Sequence, residues 1–157
     1  MKKMMMISVL ALLPTLSFAA AEPANRKSEV AAKIASVADA ETTCLENPDN
    51  SSTVGMKECM GLAFEGYDNI LNDEYKVIVA DLKKPAEDEY DQKANAEILK
   101  RLVKSQRAWI KYRDENSSFA SIQMLGGTGE GIIYMGKING MTKARIIEII
   151  DTIYGDI

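Results

Sequence analysis

Apolar residues recur at three- and four-residue steps along most of this chain, and nowhere do they alternate as in a strand. Val30, Ile34, Val37 and Ala38 make a first stripe, which predicts a helix from about Ser28 to Leu45. The polar residues 22–29 at its start read as frayed. Residues 46–52, Glu46-Asn47-Pro48-Asp49-Asn50-Ser51-Ser52, form a turn, because Pro48 has no N–H with which to continue a helix. Thr53 then offers a hydroxyl as cap for a long amphipathic helix. Its stripe runs through Met56, Cys59, Met60, Ala63, Tyr67, Ile70, Leu71, Tyr75, Ile78 and Leu82. The helix should end near Lys83 and Lys84, basic residues that suit a C-terminus, with Pro85 just beyond.

The acidic run Glu87-Asp88-Glu89-Tyr90-Asp91 suits a solvated first turn, where carboxylates meet the positive end of the helix dipole. Ile98, Leu102, Ser105, Trp109, Tyr112 or Arg113, and then Phe119 continue that third helix toward Met124, and Gly126-Gly127 stops it. Residues 126–140 are punctuated by glycine and read as a loop carrying one short apolar run, Ile132 to Met135. A last helix starts near Thr142 and presents Ile146, Ile149, Ile150 and Ile153. Two long central amphipathic helices with shorter flanking helices predict an all-α protein, a small helical bundle of one domain.

The N-terminus places that bundle. Lys2 and Lys3 precede an apolar run from Met4 to Leu16, and Ala19, Ala20 and Ala21 follow. This is the layout of a secretory signal peptide, residues 1–21, with cleavage after Ala21 fitting best and after Ala19 the nearby alternative. Residues 22–157 are then the single mature domain, free in the periplasm or secreted. The apolar run is short for a membrane span, no second one follows, and no cysteine near the cleavage site provides for a lipid anchor, so stable membrane insertion is not expected. Lys2 and Lys3 leave with the leader while no acidic residue does, so the formal charge falls from −4 to −6. That balance disfavours nucleic acid and anionic membranes and favours a cationic partner.

The chain has two cysteines, Cys44 and Cys59, and no histidine. A structural zinc site needs four nitrogen or sulfur ligands, so the pair reads as one disulfide formed in an oxidising compartment. Without histidine the usual general base is missing too, and no G-x-S-x-G or S-x-x-K nucleophile motif stands in for it. Gly126 to Gly131 looks like a phosphate loop only superficially: it follows a helix, and Ile132-Ile133 stands where Lys and Ser/Thr are required. The reading is a protein that is not an enzyme and carries no cofactor or metal.

Polar residues do gather on the helical faces. Gln106, Trp109 and Arg113 are spaced three, four and seven apart and share one face. Asp68, Asn72 and Tyr75 share another, at the edge of the apolar stripe, and Arg145 on the last helix is a third contributor. A carboxylate–guanidinium pair in an amide and phenol network would fix how the helices cross, or would form a binding face.

These residues also resemble a known family. Cys44, Thr53, Cys59, Tyr67-Asp68, Leu71-Asn72, Tyr75, the segment Gln106-Arg107-Ala108-Trp109-Ile110-Lys111-Tyr112-Arg113-Asp114, the Gly-Gly turn, Thr142 and Arg145 are similar, in order, to the lysozyme inhibitor LprI-like N-terminal domain family. The resemblance runs from about Cys44 to Ile150 and implies a small exported bacterial protein that inhibits lysozyme, or another peptidoglycan hydrolase, by binding it. It departs from the family at Ser117 and Lys137, which stand where a second cysteine pair is usual. The loop at Gly126, Gly127 and Thr128 is then a possible binding loop, with Glu130 opposing deep insertion. An envelope interaction or structural protein, or an immunity-like protein, is the alternative.

Overall fold

A computed structural model describes residues 23–155, so the signal peptide read at residues 1–21 lies outside the described residues. Four helices follow one another: α1 Pro23–Glu46, α2 Thr53–Leu82, α3 Glu89–Ser121 and α4 Glu130–Tyr154. Short 3-10 turns, Pro48–Asn50 and Ile122–Met124, sit before α2 and after α3. No strand occurs among the described residues, and the two longest helices are α2 and α3, as the apolar stripes require.

Three boundaries differ from the pattern-based reading. Helix α1 begins at Pro23, ahead of its apolar stripe, and its first turns are anchored instead of frayed. Arg26 pairs with Glu74 on α2 at 2.6 Å and Lys27 with Asp151 on α4 at 3.4 Å. The cap of α2 is Ser52, whose Oγ accepts from the Gly55 N–H at 3.1 Å. Ser52 holds the extended backbone a cap needs, and Thr53 is already helical.

The largest difference is in α4, which starts at Glu130 and not near Thr142. Helical propensity counts Gly131, Gly136 and Gly140 against it, but packing on neighbouring helices overrides such local costs. At Gly131 the glycine is a close approach: an added Cβ would lie 2.6 Å from the Lys57 side chain.

The acidic run before α3 does begin a helix. Asp88 caps it by accepting from the Asp91 N–H at 2.8 Å.

Helix α4 packs against the other three, most closely against α2 and α3, while α2 and α3 touch only slightly. The core joins Val30 and Ile34 of α1, Ala63, Tyr67, Leu71 and Ile78 of α2, and Ile146, Ile149 and Ile150 of α4. Burying one such aliphatic side chain contributes about 1.5–3 kcal/mol. Helix α3 contributes Leu102 to this cluster, with half-buried Trp109 packed against it; its other buried residues are Gln106, Arg113, Ser117 and Ser121. It is therefore the helix docked mainly through polar groups. The Cys44–Cys59 disulfide, with Cα atoms 5.6 Å apart, ties the end of α1 to the second turn of α2.

Candidate functional site

The predicted polar residues come together, but as two centres on either side of Trp109. In the first, Arg113 Nη1 reaches across to Asp68 Oδ1 on α2 at 3.2 Å, and its Nε donates to Asp114 at 2.9 Å. Asn72 donates to the other Asp68 oxygen at 2.8 Å from an exposed position. In the second centre, Arg145 on α4 donates to Gln106 Oε1 at 3.0 Å and to Ser105 Oγ at 2.8 Å, and pairs with Glu148 at 3.0 Å.

The indole of Trp109 links the two. The Arg113 guanidinium lies 5.1 Å from its centre and that of Arg145 5.7 Å, with Phe64 also 5.3 Å from Arg113. Planar guanidinium groups stack well on aromatic faces, so one half-buried ring serves two helices. Tyr75 stands apart from both centres: it packs against the apolar cluster and has no hydrogen bond to either. The two guanidinium side chains are 10% and 7% exposed, so both are spent mainly on contacts between helices.

Two further buried polar groups escaped the sequence reading. Glu74 is 2% exposed and is held by Arg26 and by Lys33, the latter at 3.3 Å. Burial works against the Arg26 charge, but the bond to Glu74 and its charge outweigh it and raise the guanidinium above its ordinary value. The signal for Glu74 was available, since it falls between Leu71 and Ile78 on the apolar stripe of α2. Asn139, on α4, donates to Glu41 at 3.1 Å and to the Met60 carbonyl at 3.0 Å. It lies in the glycine-punctuated segment, where no apolar stripe marks a buried face.

One accessible apolar surface is the end of α3 with the loop that follows. Phe119 is 73% exposed, Ile122 55%, Met124 52% and Leu125 73%. The chain then turns through Gly126, whose φ of 74° lies in the left-handed region that glycine adopts without steric cost. The turn is stitched to itself: Gly127 N–H donates to the Met124 carbonyl at 2.8 Å and Glu130 N–H to the Gly127 carbonyl at 3.2 Å. The Glu130 carboxylate folds back to accept from the Gly126 N–H at 2.8 Å. Behind the loop lies a groove of about 720 Å³ between α2, α3 and α4, lined by Lys57, Glu58, Ser118, Ser121, Gly127, Thr128 and Tyr134 among others.

Of the three loop residues singled out by sequence, Gly127 and Thr128 line this groove, and Gly126 makes the turn beside it. Ser117, at one of the unusual positions, is fully buried and donates to the Arg113 carbonyl at 2.8 Å. Lys137 is exposed on α4, and the loop is held by its own hydrogen bonds.

The molecule is a stapled four-helix bundle with the Arg113 and Arg145 guanidinium groups locked between helices and apolar side chains exposed at the end of α3. Residues 44–149 match the family model described as lysozyme inhibitor LprI, and the chain belongs to that family. An uncharacterized protein of Rhizobium meliloti (strain 1021) is 30% identical over 99 residues, which is 62% of this chain and 71% of that protein. No solved structure matches.

Proposed function

We propose that this protein is an exported inhibitor of lysozyme, or of a related peptidoglycan hydrolase, acting by non-covalent binding in the periplasm or outside the cell. The observation that carries the reading is the family match, which spans α2, α3 and the exposed loop in full. The other features agree with it. A disulfide is at home in an oxidising compartment. No described helix is long and apolar enough to cross a membrane. The mature chain carries a formal charge of −6 once Lys2 and Lys3 are removed, which favours encounter with a cationic enzyme.

On this reading the protein performs no reaction on a substrate. The Trp109 centres hold α3 in place, and what they hold in place is the loop. Calorimetric titration of the exported protein into a cationic c-type lysozyme tests the proposal. A saturable one-to-one complex that weakens as salt rises is expected. No binding at protein concentrations of tens of micromolar overturns it.

A further inference from the structure

We infer that the tip formed by Phe119, Ile122, Leu125 and the Gly126–Thr128 turn is the surface that enters the substrate cleft of a lysozyme. This inference rests on the function proposed above and names the surface and the part of the partner it meets.

Its basis is an unusual separation of charge and apolar surface. Charged residues make up 27% of the chain, yet no ionisable side chain occurs between Glu115 and Glu130. That charge-free stretch is also where four large apolar side chains, from Phe119 to Leu125, stand more than half exposed. Large apolar groups left together in water mark interaction surfaces more often than ordinary surface. Here they project beside a turn whose shape is fixed by Gly126, by the Gly127–Met124 bond and by Glu130.

The chemistry of the partner follows. A glycosidase cleft of this kind works through two carboxyl groups in a groove that binds sugar rings. A carboxylate brought against them would be repelled, and a cation would have to be desolvated. A tip without ionisable side chains, offering the exposed Thr128 hydroxyl, avoids both penalties. Of the two carboxylates in the groove behind the tip, Glu130 is turned back onto the Gly126 N–H, and Glu58 belongs to α2. The anionic body attracts the cationic enzyme from a distance, while the neutral tip makes the close contact. A turn already ordered also loses less entropy on binding.

The test uses variants at exposed positions, so that folding is preserved. Exported wild type, Phe119→Ser/Leu125→Ser, Thr128→Glu and, as a control at the far end of α3, Tyr90→Ser are titrated against a c-type lysozyme in a cell-wall clearing assay. The two tip variants should raise the half-inhibitory concentration by about tenfold or more, and Tyr90→Ser should leave it unchanged. Chitotriose, which occupies the lysozyme cleft, should compete with the wild-type protein for the enzyme.

Equal inhibition by wild type and tip variants, or binding indifferent to chitotriose, overturns this inference and leaves the proposed function standing. A wild type that leaves clearing at full speed overturns both. Concentration-dependent dimers of the wild type, lost in the tip variants whose inhibition is intact, would assign the tip to a second copy and also overturn it.

Discussion

Arg113 on α3 and Asp68 on α2 stand 3.2 Å apart, and among the described residues theirs is the one ion pair that joins these two helices. The pair matters because α2 and α3 otherwise touch little and α3 adds only Leu102 and the half-buried Trp109 to the apolar packing. Arg113→Ala leaves Asp68 without its partner and takes a cation from the faces of Trp109 and Phe64. A loss of about 2 kcal/mol in urea unfolding is expected. Arg113→Lys should recover only part of it, since an ammonium cannot stack as a planar group. Inhibition by Arg113→Ala, measured where it is still folded, should be close to wild type. Unchanged stability with abolished binding would make this face a site and not a clamp.

The disulfide is the second anchor. It spans 15 residues, and the chain-entropy estimate for a loop of that length is about 3 kcal/mol. Reduction, or Cys44→Ser/Cys59→Ser, should therefore lower Tm clearly in differential scanning calorimetry. Cys59 is 1% exposed and Cys44 half-buried, so attack by a reducing thiol should fall on the Cys44 sulfur.

Fixing the turn should matter more for binding than for folding. Gly126→Ala places a Cβ in the left-handed region, at about 1–2 kcal/mol. Glu130→Ala removes the acceptor for the Gly126 N–H but touches nothing in the core, so its effect on Tm should be slight. Both should weaken lysozyme inhibition through the cost of ordering the turn at the interface. A Glu130→Ala protein that inhibits as well as wild type would show that this bond does not pre-shape the turn.

Stability should be level across neutral pH and fall at both ends. There is no histidine to titrate near neutrality. Burial and the Glu41 charge raise Tyr67 above 10.0; burial, with Asp81 nearby, raises Tyr154. Their contribution is complete below 10.0 and is lost as pH climbs through the raised values of the folded state. Lys33, raised above 10.5 by its bond to Glu29 and kept so by Glu74, acts in the same direction. At the acid end, Glu29 is held below 4.5 by Lys33, and Glu97 by Arg101 and Lys100. What these two contribute is present above 4.5 and fades as pH falls through their lowered values. Tm followed by circular dichroism should be nearly constant from about pH 6 to pH 9. A step within that window would show that a titrating group has been overlooked.

Much of this fold was legible in the sequence because periodicity reports which face of a helix is buried. The stripes of α1 and α2 and the Cys44–Cys59 pair stand in the structure where the pattern put them; on α3, Leu102, Trp109 and Arg113 turn inward, while Ile98, Ser105 and Phe119 are exposed. The first half of α4 was hidden because glycines report local cost, whereas α4 is stabilised by packing against the other three helices. The single polar network envisaged around Arg113 proved to be two, because residue spacing gives the face of a helix but not which neighbour lies opposite. Tyr75 turned to the core, and Gln106 met Arg145. Residues of the loop were legible as an interruption; the apolar exposure beside it was not, since Phe119 falls in line with the α3 stripe.

The central claim is inhibition, and the rate of cell-wall clearing by a c-type lysozyme, followed as turbidity against added exported protein, tests it most directly. Clearing should slow in proportion to the protein added and reach its floor near one equivalent when the enzyme is well above the dissociation constant. Full-speed clearing at a large molar excess of correctly disulfide-bonded protein would contradict it.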